Sequence, residues 1–140
     1  PRRSSVLNLI LPPTYHVMEM YTVHQNAKLI PVSLQSTDFE FNNEKIPAVS
    51  VSASQDKQGH VHISLVNIDS NKKNKVRVDL GAVKAGKVTG RILTSKNLRD
   101  YNSFKKPTVI TPVVYRDAKI VNGTIEVEIP AFSVLVLELI

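Results

Sequence analysis

Short segments in which apolar and polar residues alternate recur along most of this chain, and they restrict its fold more than any other feature. Apolar side chains at every second position are typical of a β-strand with one buried face. The segments cover residues 49–54, 61–65, 75–80, 87–93, 118–121 and 124–129. The last two meet across Asn122-Gly123, which strongly favours a two-residue hairpin turn. The pattern predicts an all-β fold, an antiparallel β-sandwich of the jelly-roll or immunoglobulin-like kind, over Leu29 to Ile140.

The same periodicity predicts which residues fill the core and which segments surround it. The predicted core residues are Val61, Ile63, Leu65, Val76, Val78, Ile125, Val127 and Val136. The run Phe132 to Ile140 is almost uniformly apolar, as in a strand buried on both faces. We expect an edge strand over residues 29–34, because Pro31 cannot donate a ladder hydrogen bond. A loop is expected over Asp38 to Lys45, and a long, contact-making loop over Thr94 to Lys106.

One helix is predicted near the N-terminus. Thr14 follows two prolines and is expected to cap a helix from Tyr15 to Gln25. Because apolar residues cover more than one face of this helix, it requires partners on more than one side. The residues expected to contact another domain are Tyr15, Val17, Met18, Met20, Tyr21 and His24. Without that domain, Val17, Met20, Tyr21 or their neighbours are expected to touch a second copy of the chain or to form an exposed patch.

Composition narrows the classes of function. A chain of 140 residues, 42% of them hydrophobic and none of them cysteine, suffices for one domain with its own core. Its net charge of +6 suggests anionic partners, but Lys72, Lys73 and Lys75 lie between two predicted strands without interleaved aromatic residues. They indicate a solvated turn. No stretch reaches the roughly 18 apolar residues of a membrane span, and the start does not resemble a signal peptide. We expect a soluble protein, or a fragment of one since Met is absent at position 1, without nucleic-acid or membrane partners.

Candidate catalytic and metal-binding groups give weak signals. His60 and His62 share a strand face, with no further ligand at a telling spacing, and both are expected to face solvent. Glu126 and Glu128 also share a face, which a charged, wet sheet surface explains. The segment Asn67 to Asn71 has oxygen ligands at alternate positions, as in a calcium loop, but an Asx-type turn explains it as well. The sequence predicts no catalytic residue, no metal ligand and no cofactor.

The run from Leu11 to Gln25 resembles the end of the catalytic barrel in family 51 α-L-arabinofuranosidases, where the matching segment forms the last barrel helix. The resemblance continues through residues 46–54, 62–69, 90–95 and 130–134. The loop Tyr101-Asn102-Ser103-Phe104 is similar to a His-Asn-Thr-Phe element of that family, from which Tyr101 and Ser103 depart. The resemblance therefore extends over nearly the whole chain.

This resemblance implies a division of the chain and a role for it. Residues 1–27 would be a tail and the last helix of a missing catalytic (β/α)8 barrel, and residues 28–140 a C-terminal β-sandwich domain. The parent enzyme would be a retaining glycosidase that removes terminal α-L-arabinofuranosyl groups from arabinan and arabinoxylan through two barrel glutamates, neither of which has a matching position here. We therefore expect a non-catalytic accessory domain that stabilises the barrel or a homo-oligomer.

Two alternatives stay open at this point. An independent carbohydrate-binding module would need exposed aromatic rings on one face, and the chain has no Trp and only four Phe and four Tyr. A basic adaptor for acidic polymers would bind polyanions with a strong dependence on salt.

Overall fold

The computed structural model of the chain describes residues 9–140. Helix α1 covers Pro13–Met20 and continues into a 3₁₀ turn over Tyr21–His24. The strands are β1 (Lys28–Ile30), β2 (Asp38–Phe41), β3 (Glu44–Pro47), β4 (Val49–Gln55), β5 (Val61–Asn67), β6 (Asn74–Asp79), β7 (Val88–Leu93), β8 (Val113–Tyr115), β9 (Lys119–Val121), β10 (Thr124–Ile129) and β11 (Ser133–Leu139).

Two antiparallel sheets face each other and confirm the predicted β-sandwich. The larger sheet has the order β1-β4-β5-β11-β7-β8, and the smaller one has the order β6-β10-β9. Leu65, Leu135 and Leu137 from the larger sheet and Ile125 and Ile129 from the smaller one have no exposed surface. They belong to one buried cluster, so the core lies between the sheets.

The core prediction holds for six of its eight residues. Val76 and Val78 are only half-buried, because β6 is an edge strand of the smaller sheet, although both pack against the core. Val136 is buried, but it belongs to a second apolar cluster with Met20, Leu93 and Ile110. Because β11 lies between β5 and β7 and is covered on both faces, its uniformly apolar sequence is explained.

The helix differs from its prediction at both ends. It begins at Pro13, with Pro12 as N-cap residue, so Thr14 lies inside the first turn and makes no cap. Proline is well suited to the first helical position because its φ is already helical and its missing N–H is not needed there. The chain leaves α-geometry after Met20 and reaches Asn26 at φ 56°. The helix is therefore shorter than the predicted span of Tyr15 to Gln25.

Two further segments correct the sequence expectations. The predicted loop at Asp38 to Lys45 contains strands β2 and β3, joined by Asn42 and Asn43 at φ 49° and 65°. Asparagine tolerates this left-handed region, so the pair forms the turn of a hairpin. The edge strand expected over residues 29–34 ends at Ile30, directly before Pro31, although β1 does lie at the edge of the sheet.

Candidate interdomain surface

Helix α1 packs on the outer face of the larger sheet. Met20 is 1% exposed and lies in a cluster with Leu93, Ile110 and Val136, while Val17, Tyr21 and Val23 are half-buried against it. Met20, and in part Val17 and Tyr21, therefore have a partner within this chain, because Leu93 of β7 and Val134 and Val136 of β11 pack against them. The exposed patch expected of these residues or their neighbours is present only at the neighbours Tyr15 and Met18. The helix, the larger sheet and the smaller sheet form three successive layers.

His24 ties the 3₁₀ turn to the sheet. Its ring atoms Nδ1 and Nε2 lie 2.6 Å from Ser54 Oγ and 2.5 Å from Ser64 Oγ. Burial lowers the pKa of His24, and the neighbouring His62 lowers it further. Because the ring is neutral, one nitrogen donates to a serine hydroxyl while the other accepts from the second hydroxyl. Burial also raises the pKa of Tyr21, which hydrogen-bonds Ser64.

An ion pair joins the last turn of helix α1 to strand β7. Arg91 Nη1 donates to Glu19 Oε1 at 2.9 Å. The hydrogen bond from Arg91 lowers the pKa of Glu19. Since both side chains are well exposed, this pair adds little to stability and mainly orients the helix on β7.

Tyr15 and Met18 face away from the sandwich. Tyr15 is 48% exposed and Met18 69% exposed, in contrast to Met20 on the same helix. Of the six residues predicted to contact another domain, these two have free surface on the helix, and contact with another domain remains a prediction for them. Val17, Tyr21 and His24 are partly buried by their contacts with the larger sheet. Met20 is fully buried and is not accessible to another domain.

The histidines of β5 lie closer to carboxylates than the sequence suggests. His62 Nε2 lies 3.0 Å from Asp56 Oδ2, and His60 Nδ1 lies 3.6 Å from the same oxygen and 3.5 Å from Glu138 Oε1. A carboxylate oxygen can only accept, so His62 donates to Asp56 through Nε2, and this hydrogen bond is the main cause of the lowered pKa of Asp56. Within residues 9–140 no set of three or more His, Asp or Glu side chains has the arrangement that a metal ion requires.

The expectation that His62 faces solvent is wrong. The side chain is 5% exposed because β5 is an inner strand of the larger sheet and the 3₁₀ turn covers this face. Its Nδ1 is buried without a hydrogen-bond partner. The register could have revealed the neighbours, since β11 pairs Glu138 with His62 and the β4–β5 turn returns Asp56 to the same end.

The segment after β5 is an Asx turn built on two buried side chains. Asn67 Oδ1 accepts from the Asp69 N–H at 3.1 Å, and Asp69 Oδ1 accepts from the N–H groups of Asn71 and Lys72. The Asx-type explanation is therefore confirmed, because Asn67 Oδ1 and Asp69 Oδ1, two of the oxygens that suggested a calcium loop, accept hydrogen bonds from backbone donors.

Glu126 and Glu128 lie on the outer face of β10, as the wet-surface explanation predicts. Glu126 is exposed, and Glu128 Oε1 is 2.9 Å from Lys73 Nζ. A groove of about 940 Å³ crosses this face, and its lining includes Lys75, Arg77 and Lys119 beside these glutamates. Its one aromatic residue, Tyr115, is buried, so the groove presents no ring on which a sugar could stack.

The sequence from residue 5 to residue 133 matches the model of the α-L-arabinofuranosidase C-terminal domain family. The chain belongs to this family. Because the match begins before Pro13 and ends at Ser133, the matched part of this α-L-arabinofuranosidase C-terminal domain includes helix α1 as well as strands β1 to β10.

Relatives of this α-L-arabinofuranosidase C-terminal domain are parts of much longer proteins. An intracellular exo-α-L-arabinofuranosidase of Bacteroides ovatus is 42% identical over 94% of this chain, which spans 26% of that protein. The crystal structure of a GH51 arabinofuranosidase from Xanthomonas axonopodis pv. citri is 34% identical with a TM-score of 0.89, over 94% of this chain and 27% of that one. A family 51 α-L-arabinofuranosidase from Bifidobacterium longum, 18% identical over 94% of this chain and 26% of that one, shares the fold with a TM-score of 0.84. The chain thus spans about a quarter of the length of these proteins.

No helix within residues 9–140 is long and apolar enough to cross a membrane.

Proposed function

We propose that this chain is the non-catalytic C-terminal accessory domain of an α-L-arabinofuranosidase, and that it stabilises a catalytic domain that precedes it in the same polypeptide. The observation that carries the proposal is the family match over residues 5–133, combined with coverage of only 26% of the relative from Bacteroides ovatus. About three quarters of that arabinofuranosidase has no counterpart here.

The parent enzyme is proposed to be an exo-acting, retaining glycosidase that removes terminal α-L-arabinofuranosyl residues from arabinan or arabinoxylan. Its (β/α)8 barrel would carry the nucleophile and the acid/base, two carboxyl groups about 5 to 5.5 Å apart around the scissile bond. Three of the acidic residues described above are engaged by basic side chains or by histidine, and Glu126 is exposed on the outer face of β10. Glu19 and Glu128 bind basic side chains and Asp56 binds His62, which supports a catalytic pair outside this chain.

The stabilising role is supported by the exposed side of helix α1. Tyr15 and Met18 are large side chains that stay exposed in this chain. Full burial of a side chain such as Met contributes about 1.5 to 3 kcal/mol, so covering the two would stabilise a complex. The helix that carries them is held by Met20, His24 and Glu19. A catalytic domain that covers Tyr15 and Met18 would gain a rigid contact, and an isolated chain would use the same surface for self-association.

Expression of the gene in two forms tests this function. The long form includes the region upstream of Pro1, and the short chain is the 140-residue sequence alone. We expect the long form to hydrolyse a chromogenic α-L-arabinofuranoside and the 140-residue chain to give the rate of a buffer blank. Turnover by the short chain that disappears in a Glu126→Gln, Glu128→Gln double variant would instead place catalysis on the smaller sheet. A long form without arabinofuranosidase activity would remove the proposed parent.

A further inference from the structure

The loop between β7 and β8 exposes large apolar side chains although it is well ordered by its own hydrogen bonds. Tyr101 is 72% exposed and Phe104 69% exposed. Ser103 and Lys106 exchange backbone hydrogen bonds of 3.0 Å, and the Ser95 hydroxyl donates to Asp100. Ordering a loop in order to hold two aromatic rings in water is unfavourable unless something covers the rings.

Asn102, between the two exposed rings, fastens this loop to the segment that leads into the helix. Its Nδ2 donates to the carbonyl oxygens of Leu11 at 2.9 Å and Ile110 at 2.8 Å, and its Oδ1 accepts from the Ile110 N–H at 2.7 Å. One amide therefore satisfies three backbone groups. Tyr101 and Phe104 consequently flank a residue that is bound to Leu11, two residues before helix α1 begins.

The helix continues the same surface. Ile110, which Asn102 holds from one side, packs beneath Met20 on the other side. Tyr15 and Met18 stand on the outer side of that helix. Around the rings the loop carries exposed Lys96, Arg99, Lys105 and Lys106. An apolar centre with a charged rim is the usual anatomy of a protein interface.

We propose that Tyr101 and Phe104, together with Tyr15 and Met18, form one docking surface for the polypeptide that precedes Pro1, and that Asn102 is the positioning residue of this surface. The inference rests on the proposed function for the identity of that polypeptide as a catalytic domain. Two observations select this occupant. The relatives extend about three quarters of their length beyond the matched part, and the family is a C-terminal domain, so the missing polypeptide enters at the Leu11 end. The basic rim favours an acidic surface on that domain, through charge complementarity.

Hydroxyl-radical footprinting of the 140-residue chain and of the long form tests this inference. We expect oxidation of Tyr101 and Phe104 to be several-fold slower in the long form. Val121 is the internal control, because it is 62% exposed on the outer face of the smaller sheet, on the other side of the sandwich. Equal oxidation rates of the two rings in both forms would refute the docking surface, and protection that rises with the concentration of the short chain would assign it to a second copy.

Variants separate docking from folding. A Tyr101→Ser, Phe104→Ser double variant should leave the thermal transition of the short chain unchanged and lower that of the long form, whereas Val121→Ser should change neither. Asn102→Ala should raise the oxidation of Phe104 in the long form. Arabinofuranosidase activity is measured on the same long form and tests the proposed function separately. Protection of the two rings without activity would refute the enzyme assignment but would still support the docking surface.

Discussion

The hydroxyl of Tyr115 makes the two hydrogen bonds to the Glu128 backbone that a neighbouring strand would otherwise make. It donates to the Glu128 carbonyl oxygen at 3.1 Å and accepts from the Glu128 N–H at 3.2 Å. Strand β9 pairs with β10 only as far as Glu126, so the backbone of Glu128 would otherwise have no partner on that side. Burial raises the pKa of Tyr115, so the hydroxyl keeps its proton and can make both bonds.

Tyr115→Phe should therefore lower the free energy of unfolding by about 1 to 3 kcal/mol, because it leaves two backbone groups without a partner. Urea denaturation measures the change. Tyr101→Phe is the matched control, since that residue is exposed and its hydroxyl has no such role. A Tyr115→Phe variant as stable as the control would show that water replaces the hydroxyl at no cost.

Two methionines on one helix allow a direct test of its packing. Met20→Ala should cost about 2 to 5 kcal/mol, because it leaves a cavity between Leu93, Ile110 and Val136. Met18→Ala, at an exposed position two residues earlier, should stay within about 0.5 kcal/mol of the parent chain. Thermal or urea unfolding measures the stability of each variant relative to the parent chain. Equal effects would mean that the helix does not hold the sheet.

The free energy of unfolding should decrease as the pH is lowered from 7 to 5, because His24 takes up a proton more readily in the unfolded chain. In the unfolded chain its pKa is about 6.5, whereas burial and His62 keep the folded pKa lower. As the pH falls through 6.5, the unfolded chain takes up a proton that the folded chain does not, so the free energy of unfolding decreases. Asp56 and Glu19, whose carboxyl groups have lowered pKa values, lose their contribution only at more acidic pH.

A series of urea curves at different pH values on the wild-type chain and on His24→Gln measures this effect. The variant should lose less stability over the same interval, although it is less stable than the wild type at pH 7. Parallel pH dependences in the two chains would show that His24 does not titrate differently on folding.

The side-chain amide of Asn67 is buried and surrounded by carbonyl oxygens. Asn67 Nδ2 lies 2.9 Å from the carbonyl oxygens of Lys72 and Pro130 and 3.3 Å from that of Ile129. Asn67→Asp would turn a carboxylate towards three acceptors, and we expect a loss of about 3 kcal/mol or more. Asn71→Asp, on an exposed side chain of the same turn, is the matched control. A small effect of Asn67→Asp at neutral pH would contradict the hydrogen-bond assignment.

The sequence predicts the sandwich well because strand periodicity is local, and it predicts less where contacts are distant in the chain. Val136 illustrates the limit, since an apolar strand indicates burial without telling which layer covers each face. The hairpin β2–β3 escaped prediction because its two strands are only four residues long and exposed along most of their length. Two signals were usable, the alternation of Asp38-Phe39-Glu40-Phe41 and the turn pair Asn42-Asn43.

The candidate surface depends even more on tertiary structure. The helix residues were predicted as an interdomain contact from the apolar circumference of the helix and from the resemblance of this segment to a barrel helix. The sheet face that covers half of them has no signature near them in the sequence. The contact of Asn102 with Leu11 joins segments that are 91 residues apart in the chain, and it exists only after β7 and β8 have placed the loop beside the helix.

The position of β11 has a consequence for the order of events during synthesis. This strand lies between β5 and β7 and is paired with both along its length. The larger sheet therefore cannot close until Ser133–Leu139 has left the ribosome, when every residue before it is already made. A domain encoded upstream would complete its own folding first, and it would meet the helix and the loop of this chain only afterwards.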